Sequence, residues 1–162
     1  MTVVLVTGMS GTGKSSVLSE LGLRGHRVVD TDYGGWTKDV PTGDGATERL
    51  WREDRMDALL IGHADGTLFV SGCVANQVRF YPRFDAVVLL SAPEEVILER
   101  IASRGTNLYG KTTAEQAEIL RNLRTVEPLL RAGATVEIDT RIPVGEVADL
   151  LESIAGAGVS SR

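Results

Sequence analysis

The chain carries one cysteine, Cys73, among its 162 residues, so no internal disulfide can staple it. Two histidines, His26 and His63, add too few ligands for a zinc cluster of the usual spacing, and no partner pattern surrounds either. These shortages fit a reducing compartment, and the expected location is cytoplasmic. No apolar run approaches the roughly 20 residues needed to span a bilayer. Met1-Thr2 followed by Val3-Val4-Leu5-Val6 also lacks the basic segment of a secretory leader, so no membrane partner is expected. Excess positive charge is missing too, since 17 basic residues stand against 22 acidic ones, a net charge of −5. Such a surface repels a polyphosphate backbone and argues against nucleic acid as a partner. Any phosphate must be met by a local constellation.

What is present is ordinary for a globular chain, with 43% hydrophobic and 24% charged residues. The length fits one domain over 1–162, large enough to bury a core without a metal or disulfide. Nothing in the sequence sets an oligomeric state. Arginine outnumbers lysine 14 to 3, which both phosphate recognition and codon bias explain, so only individual arginines carry argument.

Short apolar runs alternate with helix-forming stretches. TVVLVTG reads as a buried strand and KSSVLSELG as a helix that Gly22 or Gly25 stops. GHRVVD is a second strand, and DTDYGGWTKDVPTGDG is rich in turn formers and reads as loop. ATERLWREDRMDALLI, Ala46 to Ile61, has strong helix formers and no breaker, which predicts a helix. GTLFVSGC, FDAVVLLSAP and ATVEID give strands three to five. Ser91 with Glu94 and Thr112 with Glu115 have the spacing of capping boxes. Pro143 opens a final helix to about Ile154, and residues from about 156 to 162 are expected to fray. The alternation specifies a three-layer α/β/α sandwich around a five-stranded, mainly parallel sheet, with ligands beyond the carboxyl ends of the strands.

GMSGTGKSS, Gly8 to Ser16, matches the Walker A pattern G-x-x-x-x-G-K-[ST] through Gly8, Gly13, Lys14 and Ser15. Such a P-loop needs glycines so that successive backbone N–H groups turn inward as an anion nest. It also needs a lysine to reach the β- and γ-phosphates and a hydroxyl to ligate Mg²⁺. The motif follows a predicted strand and opens a predicted helix, whose N-terminal dipole then faces the phosphates. Gly8, Gly11, Thr12, Gly13, Lys14, Ser15 and Ser16 are the expected nucleotide-binding residues, with ATP and Mg²⁺ as cofactors. Motor and switch NTPases carry an acidic residue after an apolar strand, yet FVSGC and VVLLSAP end without one. The first acids at a strand end after the loop are Asp30 and Asp32.

With the P-loop, Asp30-Thr31-Asp32, Glu48-x-x-Trp51-Arg52, Arg100-x-x-x-Arg104 and EIDTRIP, the sequence resembles the small P-loop kinases. That superfamily includes shikimate kinase, gluconate kinase and the nucleoside monophosphate kinases, and the resemblance covers about residues 3 to 155. It implies a P-loop NTPase fold with a short lid at about 104–112. The first aspartate, Asp30, would help organise Mg²⁺ with Ser15, and Asp32 would accept the proton of a substrate hydroxyl; an Asx turn after a strand uses the same residues. Arg52 would grip a substrate carboxylate, although its spacing from Glu48 is also that of an ordinary helix pair. Arg100 would stack on adenine, and Arg104 would touch the transferring phosphate from the lid, with Lys111 as a further cation. Arg141 and Pro143 would lie on the adenine-side loop.

The sequence departs from shikimate kinases at Ser71-Gly72-Cys73, where that family has three glycines. It also lacks the Asp-Gly-x-Pro-Arg of adenylate kinase-like enzymes there. Gln77 and Arg79, with Asn76, follow the strand and are placed to read a substrate. Cys73 reads as a small buried hydrophobe, Trp36 and Trp51 as pocket wall or core, and Arg121 and Arg124 as either phosphate-facing or solvated. The expected activity is transfer of the γ-phosphate of ATP to a hydroxyl of a small-molecule acceptor. Two alternatives stay open: a nucleoside monophosphate kinase, and a nucleotide-dependent binding or switch protein with slow hydrolysis.

Overall fold

The computed structural model describes residues 1–104 and 111–160. Thr2–Thr7 forms β1, six residues buried end to end, as suits an apolar β-branched run at the centre of a parallel sheet. Thr67–Ser71 (β5) and Ala86–Ser91 (β6) pair with it in parallel on either side. Arg27–Asp30 (β2) adds to β5 and Val136–Asp139 (β7) to β6, also in parallel. The sheet order is therefore β2-β5-β1-β6-β7.

Period-2 alternation divides the core into two layers. On one face Val4, Val6, Phe69, Val88 and Leu90 meet Val17, Leu18 and Leu21 of α1 (Lys14–Leu23) and Val147 and Leu151 of α6 (Val144–Ser160). On the other, Val3, Leu5, Leu68, Val70 and Val87 meet Met56, Leu59 and Leu60 of α2 (Glu53–Gly62), Phe80 of a 3₁₀ segment (Gln77–Arg83), and Trp51. Leu130 of α5 (Glu127–Gly133) packs near Leu89 on that second face. Ile97 and Ile101 of α3 (Glu94–Ser103) join Ile119 of α4 (Thr113–Thr125) in a smaller cluster. This is the three-layer α/β/α sandwich that the sequence specifies.

Several local expectations are met and others corrected. The Thr112–Glu115 capping box is present in both its hydrogen bonds. The Ser91–Glu94 box is not, because Ser91 ends β6 and its hydroxyl donates to Glu137 Oε2 at 2.7 Å, leaving Pro93 as the N-cap of α3. The predicted helix over Ala46 to Ile61 is half strand. Thr37–Pro41 (β3) and Thr47–Trp51 (β4) form an antiparallel hairpin, and α2 begins only at Glu53. Helix propensity in TERLW is overridden at Trp51, whose side chain is fully buried. Its N–H donates to Asn76 Oδ1 at 2.9 Å, and its carbonyl accepts from Asn76 Nδ2 at 3.1 Å. The Glu48–Arg52 helix pair therefore does not exist. The last helix runs past Ile154 to Ser160. The lid expected over 104–112 falls largely on residues 105–110, outside the described residues, as do 161 and 162 of the tail.

Candidate active site

The carboxyl ends of β1 and β2 and the start of α1 meet over one cavity of about 540 Å³, within the usual range for a small-molecule site. Ser10 to Val17 form its floor, and Asp32, Tyr33, Arg100, Arg104, Thr140, Ile142, Val144 and Val147 complete its walls. Gly8 has φ +154°, and a Cβ there would stand 2.5 Å from the carbonyl oxygen of Leu90, so β1 can turn beside β6 only without a side chain. Gly13, at φ +98°, caps α1 in the left-handed region with no side-chain cap, leaving the first-turn N–H groups of α1 open to an anion.

Lys14 folds back into this loop, donating to the carbonyls of Gly8 at 2.6 Å and Met9 at 3.0 Å. Burial pushes its ammonium below the ordinary lysine value, and Arg104 pushes the same way, against the weaker pull of Cys73, Asp32 and Asp30. An anion in the loop would relieve that cost. The hydroxyl of Ser15 donates to Asp30 Oδ2 at 2.8 Å, while Asp30 Oδ1 accepts from the backbone N–H of Asp32 at 3.1 Å. Asp30 is thus both the hinge of an Asx turn and the partner of the P-loop hydroxyl. That turn presents the Asp32 carboxylate, exposed, on the cavity wall.

Ser71 is paired in register with Asp30 and Val6, so the pleat places it on the α1 side of the sheet with them. Its hydroxyl is buried and has no hydrogen-bond partner among the described residues. Two hydroxyls and one carboxylate at adjoining strand and helix ends are hard oxygen donors of the kind Mg²⁺ takes, often through retained waters. The residues present fit that ion.

Other sequence candidates fall into place unevenly. Arg100 lines the cavity, and its guanidinium is committed to Thr140 Oγ1 at 2.9 Å, to the Thr140 carbonyl and to the Gly11 carbonyl at 3.3 Å. It ties the P-loop to the loop after β7. Arg104 follows α3 in extended backbone rather than on a shared helix face with Arg100, yet it too reaches the cavity. Lys111 donates to the carbonyls of Ala102 at 2.6 Å and Arg104 at 2.7 Å, closing the end of α3. Arg141 pairs with Asp139 at 2.7 Å, and its hydrogen bonds hold that carboxyl below the usual aspartate value. Neither Arg141 nor Pro143 lines the cavity, whose apolar wall is instead Ile142, Val144 and Val147. The sequence signal for these was the helix start after EIDTRIP, which places apolar residues beside the loop.

Gln77 lies beneath the site rather than in it. It is buried, its Nε2 donates to Thr7 Oγ1 at 3.0 Å and to the Tyr81 hydroxyl at 2.9 Å, and its Oε1 accepts from Val74 N at 3.0 Å. Arg79 is exposed and pairs with Glu53 at 3.4 Å. Arg52 is exposed at the N-cap of α2. Its neighbour Trp51 donates its indole N–H to Thr31 Oγ1 at 2.9 Å, which anchors the end of β4 to the Asp30-Thr31-Asp32 turn. Gly72 permits that contact: a Cβ there would overlap Thr31 Oγ1 and stand 3.2 Å from Trp51 Nε1. Cys73 is half-buried, and desolvation pushes its thiol above the ordinary value.

A parallel sheet with β1 at its centre, a Walker A loop on α1 and strand-end acids beside it define a P-loop nucleotide-binding protein of the kinase-like fold. A profile of the AAA domain family matches residues 4–121, and the chain belongs to that family. Shikimate kinase from Acinetobacter baumannii in complex with shikimate superposes with a TM-score of 0.63 at 19% identity, over 100% of this chain and 95% of that one. A sugar kinase from Janibacter sp. gives 0.57 at 20% identity, over 98% of both chains. A gluconokinase from Sinorhizobium meliloti gives 0.55 at 20%, over 99% of this chain and 92% of that one. The chain thus shares its fold with small P-loop kinases over nearly its whole length. No curated protein matches the sequence.

Proposed function

We propose that the protein is an ATP-dependent phosphotransferase that moves the γ-phosphate to a hydroxyl of a small-molecule acceptor. The observation that carries this reading is the Asp32 carboxylate, exposed in the same cavity as Lys14, Ser15 and Arg104. A phosphate acceptor brings its own nucleophilic oxygen, whereas a hydroxyl needs a group to orient it and take its proton. The fold neighbours support a small acceptor, since a shikimate kinase, a sugar kinase and a gluconokinase are among them.

In this reading the P-loop N–H groups and Lys14 cradle the phosphates, and Lys14 exchanges the Gly8 and Met9 carbonyls for phosphate oxygens. Ser15 and Asp30 would hold Mg²⁺, with Ser71 beside them. When bound, that ion neutralises charge on the phosphate oxygens. Arg100 and Thr140 border the base side, with Ile142, Val144 and Val147 as apolar contact for the ring. Asp32 orients the acceptor hydroxyl; its oxygen bonds to the γ-phosphorus, the bond to the bridging oxygen of ADP breaks, and Asp32 takes the proton. Arg104 meets the charge that develops on the transferring group.

The test runs wild type and Asp32→Asn against hydroxylated acids, sugars, nucleosides and nucleoside monophosphates, with ATP consumption as readout. The amide keeps the shape of the side chain but cannot act as a base. Transfer to a hydroxylated compound should fall by about 10² to 10⁴ with ATP·Mg²⁺ binding retained. Strong phosphorylation of a monophosphate that is indifferent to Asp32→Asn would replace this reading with a monophosphate kinase. Hydrolysis that requires a protein partner would make the chain a switch.

A further inference from the structure

Between the Asp32 turn and β3 runs Tyr33-Gly34-Gly35-Trp36, which is held from outside by α2. Gly34 and Gly35 both lie in the left-handed region, at φ +86° and +78°, where two consecutive residues cannot continue a strand. Both of their carbonyls accept from a single nitrogen, Arg55 Nη1, at 2.7 and 2.8 Å. The same guanidinium lies over the indole of Trp36, 4.0 Å from the ring centroid, within the range of a cation–π contact. Trp36 is itself packed against the α2-side core, and its carbonyl accepts from Arg52 N at 2.8 Å. A Cβ on Gly35 would stand 3.1 Å from Arg55 Nη1, and one on Gly34 would stand 3.3 Å from Trp36 Nε1.

At its other end this segment begins with Tyr33, directly after Asp32; both line the cavity, while Arg55 does not. We infer that Arg55 is a positioning residue for Asp32, fixing the acceptor-side wall so that phosphoryl transfer, and not nucleotide binding, depends on it. The inference rests on the role given to Asp32 above. A planar guanidinium can bond two carbonyls and stack on an indole at once; an ammonium has no face to stack.

The experiment uses the full chain and MgATP hydrolysis with water as the acceptor. Arg55→Ala, Arg55→Lys, Asp32→Asn and the Arg55→Ala/Asp32→Asn double variant are compared, each checked for folding by circular dichroism. Acrylamide quenching of tryptophan fluorescence reports the clamp directly, because Trp51 is fully buried and Trp36 is not. Arg55→Ala should raise quenching and lower kcat about tenfold, with the KM for MgATP held within about twofold. Arg55→Lys should restore part of kcat. In the Asp32→Asn background the alanine change should cost less than about twofold, since a residue acting through Asp32 has nothing left to act on.

Unchanged quenching, raised quenching with normal kcat, a matching loss of nucleotide affinity, or additive losses in the double variant would each overturn the inference. If Arg55→Ala does not fold, Arg55→Lys carries the same comparisons, alone and with Asp32→Asn. A normal rate in Asp32→Asn sinks the functional reading and this inference together. A slow Asp32→Asn beside a normal Arg55→Ala sinks the inference alone.

Discussion

At the scale of single residues, the site joins groups whose environments conflict until a ligand arrives. Lys14 is the clearest case, an ammonium that burial pushes below its ordinary value and whose acceptors among the described residues are backbone carbonyls. Its replacement by alanine should leave the fold intact and lower turnover by about 10² to 10³, as loss of a preorganised donor does elsewhere. Steady-state kinetics beside a melting curve checks this, and near-normal turnover would remove the loop from the chemistry. Asp30 shows how two readings of one residue coexist, since one carboxylate oxygen closes an Asx turn and the other takes the Ser15 hydroxyl. The P-loop was legible in the sequence because its glycines and lysine are fixed by what a phosphate demands. Gln77 was not: a buried amide that braces Thr7 and Tyr81 looks, as a letter beside a strand end, like a polar group awaiting a substrate.

At the scale of elements, what the sequence hid was the β3–β4 hairpin. Glu48, Arg49 and Leu50 are good helix formers, and the information that opposes them lies 25 residues away in Asn76, whose amide holds both backbone groups of Trp51. Local pattern cannot carry a contact of that range, whereas Thr112 and Glu115, three residues apart, were readable as a cap. A second long-range contact joins α1 to α6. Arg24, just past the end of α1, bonds Asp149 at 2.7 Å, Glu152 and the Gly145 carbonyl, and His26 bonds Glu152 at 2.7 Å. The His26 and Arg24 hydrogen bonds hold the Glu152 carboxyl below its ordinary value of 4.5. A depressed carboxylate contributes stability that is complete above the unfolded value and is lost as pH falls through the folded one. Glu152→Gln should therefore melt below wild type at pH 7, and the gap should close as pH drops below 4.5. Differential scanning fluorimetry across that range decides it; a gap that stays constant down to the acid end would show that the carboxylate contributes no charge-dependent stability.

At the scale of the whole molecule, an acidic protein of net charge −5 keeps a cavity edged by Lys14, Arg100 and Arg104. These cations attract a polyanion, and salt screens that attraction where the cavity opens to solvent. The KM for MgATP should rise several-fold as ionic strength increases from about 0.01 M to about 1 M, over which the Debye length falls from about 30 Å to about 3 Å. A flat profile would place the binding energy in the short-range contacts of the loop alone. The strand order carries a consequence of another kind. β1 and β2 are successive along the chain but do not touch, because β5 lies between them. The first 62 residues hold the complete P-loop, α1, the Asp32 turn, the hairpin and α2, yet none of this can settle on a sheet until Thr67–Ser71 emerges to join the two strands. On the ribosome the loop is therefore made early and assembled late, because β1 and β2 gain their shared neighbour only with Thr67–Ser71.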